Sequence, residues 1–279
     1  MVATAKTSIL LNGIYVKFNA LIDILQRFCQ PLTLHNSNSI YEISPFGSSF
    51  LVEYKTRKFR LFTRHQLGNG EQAYSPEKVL LIFEDYQSNR VGLSPSNSFS
   101  LKFNGQNEKS LEDLAIVEYS QQIGGADIER FFYKLDLHAM SEFDNTDNKK
   151  IVAIFAIGYP SRFLTAETSF DEEYLPTEAS LNVGYAPLFL ERANPSPWDI
   201  EYRTALQAHH RYNRDVGDPD GFSGAPVFYI YEDEARQSHL GFAGIITDGS
   251  KEGRFNIYRA SDISRYLIRA CNYGRAAFA

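Results

Sequence analysis

The residues best equipped for chemistry in this chain are one serine, one histidine and one aspartate, far apart in sequence. Ser223 lies in Gly221-Phe222-Ser223-Gly224-Ala225-Pro226-Val227-Phe228. Glycines on both sides, then Pro226 and a strand-like run, place its hydroxyl on a tight turn. Backbone N–H groups on such a turn can converge on a developing negative charge. His65 ends Phe59-Arg60-Leu61-Phe62-Thr63-Arg64-His65, a strand running into a turn. With an unperturbed pKa of about 6.5, a histidine there is mostly neutral at pH 7 and can take a proton. Asp113 opens Glu112-Asp113-Leu114-Ala115-Ile116-Val117, a carboxylate at the mouth of an apolar strand. Taken singly, each has a plainer reading: a glycine-serine turn, a structural histidine, an exposed strand-cap aspartate.

These residues must be positioned by strands. Short apolar runs at Ser49–Tyr54, Phe59–Thr63, Lys78–Phe83, Ser98–Phe103 and Leu114–Val117 are separated by polar punctuation. A polar stretch from Gln121 to Lys150, ending in the acidic, amide-rich Glu142–Asn148, marks the midpoint boundary. A second set follows at Ile151–Ile157, Leu181–Leu190, Ile200–Ala208, Pro226–Tyr231, Phe242–Thr247 and Phe255–Tyr258. Helical spacing is confined to the two ends. Leu21, Ile22, Ile24, Leu25 and Phe28 predict a helix over Ala20–Cys29 stopped by Pro31, and a second helix runs from Ser261 to Cys271. The expected architecture is all-β dominated: two packed six-stranded antiparallel β-barrels flanked by those helices. Residues 1–31 form an N-terminal extension, 32–148 the barrel holding His65 and Asp113, and 149–279 the barrel holding Ser223 and the closing helix.

Order along the chain adds meaning to the three phrases. The sequence His65, Asp113, Ser223, at separations of 48 and 110 residues, resembles the trypsin/chymotrypsin-like serine proteases. Phe62-Thr63-Arg64-His65 and Asp113-Leu114-Ala115-Ile116-Val117 are similar to that family's strand-then-histidine and Asp-Leu-Ala phrases. Ala156-Ile157-Gly158-Tyr159-Pro160 resembles the opening of the second barrel in bacterial Deg-type proteases. Gly244-Ile245-Ile246-Thr247 resembles the strand flanking bound peptide, and Asn256-Ile257-Tyr258-Arg259 the family's ending. The likeness spans about Gly47 to Cys271, and the longer second separation implies an insertion in barrel two.

What the resemblance implies is a serine endopeptidase with His65 as base, Asp113 as orienter and Ser223 as nucleophile. The amides of Gly221 and Ser223 would form the oxyanion hole. By the same likeness the substrate pocket has its floor near Gly217 and Asp218, its wall at Thr247, Asp248 and Gly249, and Asn256 opposite. Asp218 and Asp248 either face solvent or favour a basic side chain at the cleaved position. Phe222 departs from the family, whose digestive members carry an Asp there that receives a freshly cleaved N-terminus. A phenyl ring accepts no such ion pair, so activation of that kind is not expected.

Composition narrows the rest. A formal charge of −6, with 28 basic and 34 acidic side chains, does not make a surface for phosphate backbones, so no nucleic-acid partner is expected. Aromatics at 14% beside only 2 Met lean toward strands. Cys29 and Cys271 make neither a disulfide framework nor a metal knuckle, and no metal or organic cofactor is implied. The first residues lack a signal-peptide core, and no stretch is apolar enough for a membrane span. The expectation is therefore a cytoplasmic protein acting on polypeptide substrates. Two alternatives stay open: latency until a regulatory protein activates it, and a catalytically silent relative that binds peptides or proteins. An esterase using the same triad fits less well, because Pro226 and a strand follow the serine where a helix would be needed.

Overall fold

A computed structural model describes residues 8–36, 43–68, 73–84, 90–99, 111–120, 128–135, 143–173, 176–197, 199–200, 202–213 and 218–276. The chain opens with a hairpin, β1 (Ser8–Leu11) and β2 (Ile14–Lys17), closed by Asn12 and Gly13 at φ 48° and 84°. Asn-Gly with both φ positive is the two-residue turn whose twist matches paired strands. One short helical stretch follows, with α1 (Leu21–Leu25) flanked by single 3-10 turns on each side.

The helix expected over Ala20–Cys29 is thus shorter than its apolar spacing implied, and Pro31 does not stop it. Pro31 lies inside β3 (Cys29–His35), where the pairing register shifts between Pro31 and Leu32. A proline has no N–H to give a ladder, and a bulge is where a sheet tolerates one.

The first half continues with β4 (Ile43–Tyr54), β5 (Arg57–Thr63), β6 (Val79–Glu84), β7 (Arg90–Leu93), β8 (Asn97–Phe99), β9 (Leu114–Tyr119) and β10 (Tyr133–Lys134). Their order across the sheet is β7-β6-β3-β4-β5-β9-β8, with β10 added in parallel to β4. Among the described residues this sheet is a half-barrel with no pairing between its end strands. The expected strand Ser98–Phe103 overlaps β8, and its part beyond Phe99 lies outside the described residues.

The second half is a closed barrel of six antiparallel strands in the order β11-β14-β15-β18-β17-β16. They are β11 (Ile151–Gly158), β14 (Ala186–Arg192), β15 (Arg203–Ala208), β16 (Pro226–Glu232), β17 (Ser238–Gly249) and β18 (Arg254–Arg259). Between β11 and β14, a separate hairpin of β12 (Leu164–Phe170) and β13 (Pro176–Val183) lies off the barrel path. It lies between Asp113 and Ser223, the interval in which an insertion is expected. The run Leu181–Leu190, read above as one strand, is divided between β13 and β14 at Gly184 and Tyr185, and the Gly184 N–H donates to the Phe163 carbonyl at 2.9 Å.

The chain closes with α2 (Ala260–Ala276), whose Ile263, Tyr266, Leu267, Ala270 and Cys271 form a buried stripe at helical spacing. The Tyr266 hydroxyl donates to the Phe99 carbonyl at 2.8 Å, and Arg57 reaches the Ala270 carbonyl at 3.3 Å. Both contacts tie this helix to the first half.

Aromatic side chains cement the two halves. Phe50 from β4 meets Phe228 of β16 edge-on at 5.6 Å and Phe242 of β17 at 5.0 Å, while Phe155 of β11 lies 6.0 Å from Phe228. Offset and edge contacts of this kind add to the area they bury. Inside the first half sits Arg60, fully buried on β5. Its guanidinium donates to Ser49 Oγ at 2.8 Å, to the Leu80 carbonyl at 2.5 Å and to the Pro31 carbonyl. A buried cation needs such a set, since each lost partner leaves a donor unsatisfied.

Candidate functional site

His65 stands on the 3-10 turn Arg64–Leu67 that ends β5, and Asp113 on the turn that starts β9. Those two strands pair antiparallel, with Thr63 opposite Leu114, so the ladder itself brings the residues together. Asp113 holds the histidine by two bonds. Its Oδ1 accepts the His65 backbone N–H at 2.8 Å and its Oδ2 faces Nδ1 at 2.7 Å. The Asp113 carbonyl accepts the Arg64 N–H at 2.5 Å, and its N–H donates to the Tyr258 hydroxyl at 3.2 Å. With Nδ1–H directed at a carboxylate, the Nε2 lone pair is left to act as acceptor.

The hydrogen bond to Asp113 raises the His65 pKa above its ordinary 6.5, against the opposing effect of burial. The Asp113 and Asp248 charges raise it further, and Arg203 lowers it. A raised histidine pKa stabilises the folded chain most at acid pH, below the unfolded value. That contribution disappears as pH rises through the folded value.

Ser223 is brought to this pair by a cross-link between the halves. Ser48 of β4 donates its N–H to the Ser223 carbonyl at 3.0 Å, and Gln66 Nε2 donates to the same carbonyl at 2.9 Å. The residue next to His65 therefore touches the residue that carries the hydroxyl. The Ser223 Oγ itself donates to the Thr247 carbonyl at 3.1 Å.

Two glycines on the turn are required. Gly224 has φ +82°, and a Cβ there would sit 2.0 Å from the Ser48 carbonyl oxygen. Gly221 has φ +91°, and its Cβ would sit 2.5 Å from the Tyr159 carbonyl oxygen. Among the described residues the N–H groups of Gly221 and Ser223 donate to no backbone acceptor. Phe222, by contrast, is fully buried in the core of barrel two, edge-on to Phe255 at 6.2 Å.

Sequence reasoning missed two residues that hold this arrangement. Ser48 is fully buried, donates its hydroxyl to the Gly221 carbonyl at 2.6 Å and accepts the Tyr159 N–H at 2.8 Å. Gln66 accepts the Thr63 N–H at 2.9 Å and spreads its amide over the carbonyls of Phe46, Ser48 and Ser223 at 3.1, 3.1 and 2.9 Å. The pattern Thr63-x-x-Gln66 is a capping-box signature, which was the available signal. Replacing Gln66 by leucine keeps its bulk and leaves those groups without the amide. A loss of about 1–3 kcal/mol on thermal melting is expected. Any turnover should fall through kcat rather than KM, because the Ser223 turn loses its tether.

The expected pocket residues are distributed as follows. Gly217 lies outside the described residues. Asp218 is exposed, and its Oδ1 accepts the Asp220 N–H at 3.1 Å. Thr247, Asp248 and Gly249 end β17, with Asn256 on the adjacent β18. Asp248 is not a free carboxylate. Arg203 donates to its Oδ2 at 2.5 Å, as does the Thr247 hydroxyl at 2.7 Å, and Asn256 donates to Oδ1 at 2.6 Å.

No family model matches the chain, and no curated protein matches it. Among solved structures, 310 chains match its shape. Human heparin binding protein is one, at a TM-score of 0.50 and 14% identity over 88% of this chain and 92% of that one. At such identity the likeness speaks for the fold alone. The protein has a chymotrypsin-like fold: a closed six-stranded barrel packed on a half-barrel sheet, with two helices.

Proposed function

We propose that this protein is a serine endopeptidase of the trypsin-like class. The observation that carries the reading is the bidentate hold of Asp113 on His65, beside a serine whose turn is tied to the residue following that histidine. A binding module has no need of an imidazole oriented in this way.

In the reaction, Ser223 Oγ attacks the peptide carbonyl carbon as its proton passes to His65 Nε2. The carbonyl oxygen becomes an oxyanion facing the N–H groups of Gly221 and Ser223, where one donor is worth about 2.7–4 kcal/mol. Collapse expels the amine, which takes the proton from His65 and leaves an acyl ester on Ser223. Water then enters, gives a proton to His65 and adds to the acyl carbon. The Ser223 Oγ–carbon bond breaks as His65 returns the proton to Oγ, releasing the acid. Asp113 keeps the imidazole oriented and stabilises the imidazolium at both stages. No cofactor takes part.

The burial of Phe222 supports a turn set by apolar packing without a cleaved N-terminus. The substrate is a polypeptide bound in extended form. Two free, buried cysteines agree with a cytoplasmic setting. A regulatory protein that holds the enzyme in check there is part of the same proposal.

The test is labelling with a fluorophosphonate, read by intact mass. One adduct per wild-type chain is expected, and none on Ser223→Ala. Its rate should rise with pH through a midpoint above 6.5, because the base must be neutral and its pKa is raised. No adduct on wild type, in pure form or in lysate, would instead support the silent binding module.

A further inference from the structure

The ladder between β16 and β17 stops at Pro226 opposite Ile245. Beyond it, the Ile246 N–H and C=O are taken by Ala225 and Gly224 at 2.9 and 2.8 Å. Past a register shift at Thr247, Asp248 and Gly249 pair with β18 and, among the described residues, with no other strand, while Ser223 borders this stretch with its hydroxyl on the Thr247 carbonyl. An extended peptide can add there as a strand. A carbonyl seated at Ser223, its oxygen toward the Gly221 and Ser223 amides, sends its own residue's side chain between the Asp218–Phe222 turn and Thr247–Gly249.

That space is occupied from within. A Cβ built on Gly249 would lie 2.6 Å from Phe255 Cε1 and 2.9 Å from Pro219 Cβ. Nonbonded carbons prefer about 3.5–4.0 Å, so strand and turn already touch through these two side chains. Phe255 pairs with Gly249 across β17 and β18, is only 2% exposed, and packs edge-on against Phe222. It is a core residue that cannot swing aside without opening barrel two. Of the two carboxylates that could draw in a lysine or arginine, Asp248 is bonded to Arg203 and Asn256, and exposed Asp218 accepts the Asp220 N–H. The packing of Phe255 and Pro219 is therefore what excludes a long basic chain.

Resting on the serine-peptidase reading, we infer that the enzyme cleaves after residues with small side chains, glycine, alanine or serine, and that Phe255 with Pro219 excludes larger ones. A ring or a long basic chain would have to displace close-packed atoms to enter, which overpacks the core.

Peptidyl diphenyl phosphonates carrying alanine, phenylalanine or lysine next to phosphorus test the inference, read as the rate of adduct formation on Ser223. The alanine probe is expected to react at least ~100-fold faster than the other two. In Phe255→Ala, the ratio of the phenylalanine to the alanine rate should rise by roughly tenfold or more. Phe255→Val repeats the measurement with less loss of core volume if a thermal melt shows Phe255→Ala unfolded. Equal or faster reaction of the phenylalanine or lysine probe with wild type would overturn the inference and leave the peptidase reading standing. A plain fluorophosphonate, which has no side chain to place, reports that reading separately, and its failure to label Ser223 would remove both.

Discussion

Asp113→Asn is expected to lower peptide turnover by about 10⁴-fold while leaving the fold intact. The two carboxylate oxygens do different work. Oδ1 accepts the His65 backbone N–H at 2.8 Å, and an asparagine carbonyl oxygen can keep that bond. Oδ2 faces Nδ1 at 2.7 Å, and there an amide NH2 presents protons where an acceptor is needed. The imidazole then favours the tautomer with its proton on Nε2, and the base is lost. The same substitution removes the main influence raising the His65 pKa, so the acid limb of any residual activity should move to lower pH. Hydrolysis rates, a pH profile and a thermal melt on one preparation check all three. A variant that retains wild-type turnover would sink the triad.

The second large effect is on stability. Phe222→Ala should cost about 3–5 kcal/mol, the range for truncating a buried phenylalanine. In a chain of this size that lowers Tm by roughly 10 °C or more. Phe222→Asp should cost more still, because the fully buried ring belongs to an apolar cluster with Ile154, Ala156, Val227, Ile246 and Phe255, side chains that offer a carboxylate no partner. A Cβ on Gly158 would come within 2.5 Å of the Phe222 ring, so the core is shaped around it. The ring is also the anchor between Gly221 and Ser223. Phe222→Leu, which refills most of the volume, should therefore keep more activity than Phe222→Ala at a temperature where both are folded. Equal activity in the two would show that the oxyanion turn does not depend on this packing.

Much of this architecture was legible from local signals. Alternating and continuous apolar runs located β5, β6, β9, β11, β16 and β18 closely, because a strand half-buried or buried on both faces writes its period into the chain. The apolar stripe of α2 was equally plain. The ends and interruptions were not. Pro31 reads as a helix stop in one dimension, yet a bulge in β3 absorbs it. The run Leu181–Leu190 reads as one strand because nothing local says that its halves, on either side of Gly184 and Tyr185, pair in different sheets.

The site divides in the same way. Residue types and order nominated His65, Asp113 and Ser223 as candidates, since each stands at a strand end or turn with its own local signature. Their union was decided in three dimensions. The pairing of β5 with β9 delivers Asp113 to His65, and the amide of Gln66 together with Ser48 carries Ser223 across from the other barrel. The sequence likewise marked Phe222 as an oddity without saying that barrel two closes around it. It named Asp248 as a candidate charge without saying that Arg203, 45 residues away, would neutralise it. Arg60 looks like any outward-facing cation in a strand, yet it is buried because three acceptors from separate strands converge on it. Periodicity and turn chemistry act between neighbours in the chain, so the sequence alone determined most strands and the closing helix, and nominated the candidate side chains. Hydrogen bonds and packing between residues far apart depend on which strands come to lie side by side, and only the tertiary structure decided that.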